Sequence, residues 1–140
     1  MPQHWLFCDL KKAFDTLERD IIIQKLDHYG IQISHSARPT IIGAVQGSVL
    51  GSLLFNIFIN DVSLLGTKCV IFADDALFYS HCKTLNESVC DMQQFIKRLN
   101  NWLCNNRLTA REFKTKLMLF TSYQKPPDMP AIIFKGSFLE

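Results

Sequence analysis

The chain has 140 residues, 48% of them hydrophobic and 20% charged, with a formal net charge of +2. That length holds one domain with a real core and is too short for two comfortable ones, and the composition excludes a disordered chain. So slight a net charge names no partner, and the most apolar window, Val49–Ile59, is about half the length of a membrane-crossing helix.

The charge is uneven. Residues 101–140 hold six basic residues (Arg107, Arg111, Lys114, Lys116, Lys125, Lys135) against three acidic ones (Glu112, Asp128, Glu140), a local +3 that hints at a polyanion contact. Five cysteines, at positions 8, 69, 82, 90 and 104, include no C-x-x-C pair, which favours reduced, buried thiols over a disulfide framework. Residues 1–10 lack the basic start and apolar run of a secretory signal, so an intracellular location, cytoplasm or nucleus, is expected.

Residues 4–10 alternate, with Trp5, Phe7 and Asp9 on one face and Leu6, Cys8 and Leu10 on the other, and read as a strand. Asp15-Thr16-Leu17-Glu18 fits a capping box opening a helix, Ile22, Leu26 and Tyr29 keep helical spacing, and Gly30 ends the element. Residues 31–43 form an irregular link. Gln46-Gly47-Ser48 is a polar turn into Val49–Ile59, where Leu50, Leu53, Leu54, Ile57 and Phe58 predict a helix buried on most sides. Lys68–Phe72 and residues 76–80 are joined through Ala73-Asp74-Asp75 as a β-hairpin, strained for want of glycine or asparagine in the turn.

Thr84-Leu85-Asn86-Glu87 is a second capping box, opening a long helix with the stripe Leu85, Val89, Met92, Ile96, Leu99 and Leu103. Residues 116–122 read as a strand, 126–130 as a proline-rich loop, and 131–135 with 138–140 as a further hairpin around Gly136-Ser137. The order strand, helix, buried helix, hairpin, long helix, strand predicts an α+β fold. Helices cover one face of an antiparallel sheet on a split-βαβ, ferredoxin-like plan.

Phe72-Ala73-Asp74-Asp75 sets two adjacent carboxylates in an apolar run, where each charge resists burial and repels the other. A divalent cation removes both penalties. An Asp-Asp pair is commonly just a solvated turn, and the apolar flanks weigh against that here. Adjacent strands lie about 4.8 Å apart, so Asp9 and the Asp74/Asp75 turn converge if their strands pair. Metal-assisted phosphoryl transfer asks for such a set of hard oxygen ligands around two Mg²⁺ ions.

Phe7-Cys8-Asp9-Leu10-Lys11-Lys12-Ala13-Phe14-Asp15, followed by Leu26-Asp27-His28-Tyr29-Gly30-Ile31, resembles motif A of a non-LTR (LINE-type) retrotransposon reverse transcriptase. Gln46-Gly47-Ser48-Val49-Leu50-Gly51, running on to Asn60-Asp61, resembles motif B, and Phe72-Ala73-Asp74-Asp75 resembles motif C. Asn100-Asn101-Trp102, Asn106-Arg107-Leu108 and Lys114-Thr115-Lys116-Leu117-Met118-Leu119-Phe120 resemble the motif D region, and residues 131–140 the opening of the primer grip.

The resemblance implies an RNA-directed DNA polymerase palm, with residues 1–122 as the palm fragment and 123–140 as a linker and the start of the primer-grip hairpin. Its partners are an RNA template, a DNA primer and a dNTP. Asp9 and Asp74 hold both Mg²⁺ ions (or Mn²⁺), and Asp75 completes the acidic cluster. Phe14 is the steric gate against a ribose 2′-OH, Gln46 and Gly47 line the floor under the nucleotide and template base, and Lys114 lies near the triphosphate. Outside that context Phe14 reads as core, and Lys114 and Lys116 as a solvated strand edge.

The pattern also breaks. The link 31–43 is shorter than the family's, Val45 and Ser52 stand where proline is usual, and Arg111 where asparagine is usual. With fingers and thumb outside the chain, a palm fragment inactive alone is expected. Two rivals remain, a non-catalytic nucleic-acid-binding remnant and the palm of an intron-encoded or telomeric reverse transcriptase. Ala13-Phe14-Asp15 and Asn60-Asp61 favour the retrotransposon branch.

Overall fold

Residues 2–11, 17–32, 49–122 and 131–139 are described by the computed structural model. Strands β1 (Gln3–Asp9), β2 (Lys68–Phe72), β3 (Asp75–His81) and β4 (Lys116–Phe120) form one antiparallel sheet in the order β2-β3-β1-β4. This is the split arrangement expected: β3 returns through a tight hairpin and fills the slot between β1 and β2. The alternation of β1 is realised, with Leu6, Cys8 and Leu10 buried and Phe7 exposed on the other face.

Helices α1 (Arg19–His28), α2 (Val49–Ile59) and α3 (Leu85–Asn105) contribute to a single buried cluster that also holds Leu6, Cys8, Ala76 and Phe78 from the two central strands. Among the described residues, only one face of the sheet is covered in this way. α3 opens on the expected box: Thr84 Oγ1 accepts from the Glu87 N–H, and the Glu87 carboxylate accepts from the Thr84 N–H, both at 3.2 Å. Its stripe is buried from Val89 to Leu103, with Leu85 half-buried, and is widened by Phe95 and Trp102. At its end Arg107 takes the left-handed position (φ +53°) that glycine usually fills, while Leu108 N–H bonds Leu103 O and Arg107 N–H bonds Cys104 O.

Five expectations are corrected. α1 starts at Arg19 with Glu18 as its N-cap and no side-chain cap, so Glu18 is not the third residue of a box. Its carboxylate faces Arg107 at 3.4 Å instead of reaching back along the chain; Asp15 and Thr16 lie outside the described residues. The C-terminal end of α1 is as read, with Gly30 at φ +77° and the Gly30 and Ile31 N–H groups bonding Asp27 O and Leu26 O. α2 is buried less completely than expected: Gly51, Leu54, Phe55, Phe58 and Ile59 are buried and Ile57 packs half-buried against the core, while Ser52, Leu53 and Asn56 are exposed. The thiols are all free, but Cys90 and Cys104 are exposed on the polar side of α3, off its stripe. Finally, β4 ends at Phe120, and Asp75 belongs to β3 rather than to the turn.

Residues 131–139 dock on α3, where the Gln93 side-chain amide bonds both the N–H (2.9 Å) and the C=O (3.1 Å) of Ile133. They form a short hairpin of β5 (Ile133–Phe134) and β6 (Ser137–Phe138) that turns through Lys135 and Gly136, both at positive φ. The link 31–43 falls outside the described residues except for its first two, and so does the loop 126–130.

His4 is fully buried, with Nδ1 2.6 Å from Ser88 Oγ, while its Nε2 and the Oγ of its cross-strand neighbour Ser80 have no protein partner. Burial lowers its pKa below the ordinary 6.5. The unfolded chain therefore takes up this proton first, and stability is lost as pH falls from about 6.5 toward the folded value, at up to about 1.4 kcal/mol per pH unit. In urea titrations, the stability advantage of wild type over His4→Gln is expected to be constant above pH 7 and to shrink below 6.5. A difference that holds steady from pH 7.5 to 5 would contradict the assignment.

Candidate active site

The uncovered face of the sheet is organised in rows by the strand registers. One row runs Lys68, Tyr79, Trp5, Met118; the next runs Val70, Leu77, Phe7, Lys116; the last runs Phe72, Asp75, Asp9. Successive rows are about 7 Å apart along the strands. The first two are apolar and aromatic with a lysine at one edge, and Trp5 packs against Tyr79 (5.7 Å between ring centroids) and Phe120 (4.9 Å). The last row is acidic.

Asp9 and Asp75 are direct cross-strand partners. The Leu10 N–H donates to Asp74 O at 2.9 Å, so Asp9 and Asp75 form the closer, non-hydrogen-bonded kind of pair, with Cβ atoms about 4.5–5.5 Å apart. Between β2 and β3 the chain turns in two residues, Ala73 and Asp74. Ala73 has φ +52° and Asp74 is not in that region, the pattern of a turn that prefers glycine at its first position. The expected strain is real and sits on Ala73, at a cost of about 1–2 kcal/mol.

On its other side β1 meets a broken ladder. Phe7 pairs with Lys116, yet Leu10 bridges Ala110, so residues 112–114 are looped out as a 3₁₀ turn, Glu112–Lys114. Arg111 N–H donates to Asp9 O at 2.8 Å, while Arg111 O accepts from Lys114 N–H (3.1 Å) and from both the N–H (3.0 Å) and Oγ1 (2.9 Å) of Thr115. Arg111 Nη1, from the extended residue that precedes the turn, and Lys114 Nζ, from its last residue, both reach Asp9 Oδ2, each at 3.4 Å. A cavity of about 380 Å³ opens beside the acidic pair, lined by Phe7, Val70, Phe72, Leu77 and Lys114 among others. Cys8 borders it too, and burial pushes its thiol up to about 12, so in the metal-free protein it stays protonated at neutral pH.

A family model described as reverse transcriptase (RNA-dependent DNA polymerase) matches residues 1–134. The chain belongs to the reverse transcriptase family. No curated protein matches it. Reverse transcriptases bind template, primer and nucleotide and generally use divalent metals.

For a reverse transcriptase, the acidic row has the right donor chemistry, since carboxylate oxygens are the ligands Mg²⁺ and Mn²⁺ prefer. The register sets Asp9 against Asp75 at one end of the open face, with Asp74 next to Asp75 in the turn. Yet among the described residues no three His, Cys, Asp or Glu side chains gather into a metal-holding group, and Asp9 faces two cations of its own chain. Lys114 is therefore found on a carboxylate of this reverse transcriptase rather than free in the cavity. Phe14, Gln46 and Gly47 lie outside the described residues. Arg111 was visible in the sequence as one of the six basic residues of 101–140 and as a departure from the family, and neither signal places it on Asp9.

Proposed function

We propose that this reverse transcriptase domain is the palm of a non-LTR, LINE-type element, with residues 1–122 as palm and 123–140 leading into the primer grip. Its acidic row would serve transfer of a dNTP onto a primer 3′-OH opposite an RNA template. The reading rests on the register that sets Asp9 directly against Asp75 beside Asp74, at the end of an open sheet face. Asp9 and Asp74 would hold the two ions and Asp75 would complete the set. Bound Mg²⁺ would supply charge stabilisation for the attacking and leaving oxygens of an in-line displacement.

The chain's own residues do the rest in this reading. Lys114 turns from Asp9 toward the triphosphate as charge partner or proton donor, Phe14 excludes a 2′-OH, and Gln46 and Gly47 support the nucleotide and template base. The aromatic rows and their edge lysines, Lys68 and Lys116, give template and primer a surface that is apolar under the bases and positive at its margins. Unpaired cysteines and nucleic-acid substrates agree with work in the cytoplasm or nucleus. Because Asp9 is already neutralised, the 140 residues alone should extend primers poorly.

The test is thermal melting with Mn²⁺. An excess of about 100-fold over Kd should raise the wild-type midpoint by about 5–10 °C. Asp75→Asn should lose most of that gain. A shift indifferent to Asp75 would remove the metal assignment, and brisk extension of a primer on RNA with Mg²⁺ and dNTPs would overturn the weak-activity reading. The cations on Asp9 favour one second reading, a non-catalytic nucleic-acid-binding remnant. It predicts salt-sensitive binding unaffected by changes at Asp9, Asp74 and Asp75.

A further inference from the structure

Asp9 is only 16% exposed at its side chain, and its Oδ2 lies between two cations that are held in different ways. Lys114 is 61% exposed and reaches Asp9 at the end of a flexible stem. Arg111 is 38% exposed, and its backbone is clamped on both sides, by Asp9 O through its N–H and by Thr115 through its C=O. Thr115 is buried, so the clamp is anchored in the core. The Arg111 guanidinium is a cation held against the carboxylate oxygen that an incoming metal ion would need. It has to swing away.

We propose, resting on the metal reading above, that Arg111 is a built-in counter-cation for Asp9 which a divalent ion must displace. This acidic centre thus loads metal more weakly than the same fold with a neutral residue at position 111. Two effects set the size. Breaking a partly exposed pair is worth up to about fivefold, and repulsion between the incoming dication and a guanidinium a few ångströms away adds to it. Together they give about three- to tenfold in metal affinity. The bonds that hold the turn use the main chain of residue 111, so they survive its substitution.

The experiment is an Mn²⁺ titration of the 140-residue chain, read from the electron paramagnetic resonance of the free ion at fixed ionic strength. Wild type is compared with Arg111→Asn, Arg111→Lys and Asp9→Asn. Arg111→Asn is expected to bind about three- to tenfold tighter, Arg111→Lys to stay near wild type, and Asp9→Asn to lose binding. Equal affinity in wild type and Arg111→Asn, with Asp9 still required, overturns the proposal and leaves the metal reading standing. Tighter binding by Arg111→Lys to the same degree as Arg111→Asn also overturns it, since charge would not be the cause. Binding indifferent to Asp9 defeats the metal reading itself. If Arg111→Asn does not fold, the wild type alone decides. The Arg111 Nε–H resonance should shift as Mg²⁺ loads, and a resonance that stays put while Asp9-dependent binding saturates is fatal.

Discussion

Replacing Phe95 with alanine is expected to cost about 3–5 kcal/mol, a large share of the 5–15 kcal/mol, to order of magnitude, that stabilises a whole domain. Phe95 is fully buried in the stripe of α3, and its ring packs on Phe78 with centroids 4.8 Å apart at 45°. Such a tilted aromatic pair adds about 0.5–1.5 kcal/mol to the burial of the two rings. Phe78 stands on the core side of β3, three residues after Asp75, so this contact ties the long helix to the strand that carries the acidic row. Urea unfolding followed by circular dichroism measures the loss. A cost below about 1 kcal/mol would mean that α3 is not seated on β3 as described.

Asp61→Ala is the second large effect, about 2–4 kcal/mol, somewhat below the usual range for a broken buried ion pair because the Asp61 carboxylate keeps 32% of its exposure. Lys25 Nζ lies 2.9 Å from each Asp61 carboxylate oxygen, donates to Phe58 O, and sits 4.3 Å from the Phe58 ring centroid. The Trp102 indole N–H donates to Asp61 Oδ1 at 3.0 Å. One carboxylate thus joins α1, the 3₁₀ segment Asn60–Leu65 after α2, and α3.

Without Asp61, the ammonium and the indole N–H lose their acceptor in a half-dry site. Lys25→Met is expected to cost less than half as much, since it removes the charge that needs a partner and keeps the packing. The reverse ranking would refute the assignment. Burial lowers the Lys25 pKa and Asp61 pushes it back up. The unfolded chain thus keeps this proton to higher pH, toward 10.5, and stability rises as pH climbs through the folded value. Removing Asp61 widens that window, so the defect of Asp61→Ala should narrow as pH rises toward 10.5 in the same unfolding assay.

Where a signal was local, residue order sufficed. The period-2 pattern of Leu6, Cys8 and Leu10, the helical stripe from Val89 to Leu103, the Thr84 box and the glycine at the end of α1 all depend on neighbours within a turn or a strand. Hence the split-βαβ plan and the acidic and basic candidates could be read from the chain. Readings failed where a distant partner competed. Glu18 left its capping role for Arg107, and Leu53, Cys90 and Cys104 faced water because the core meets only one side of each helix.

The site itself is a matter of register. Asp9 and Asp75 oppose one another because the hairpin slots beside β1 with that one alignment, and a shift by one residue would turn every side chain to the other face. Arg111 lies 102 positions from Asp9 in the chain and meets it only because the β1–β4 ladder skips the turn Glu112–Lys114. The order of residues thus specified the strand, the strained Ala73-Asp74 turn and the carboxylates, through sterics and periodicity that act over a few residues. Which carboxylate faces which, and which cation holds Asp9, followed from ladder alignment, because hydrogen bonds between strands set distances that no local pattern encodes.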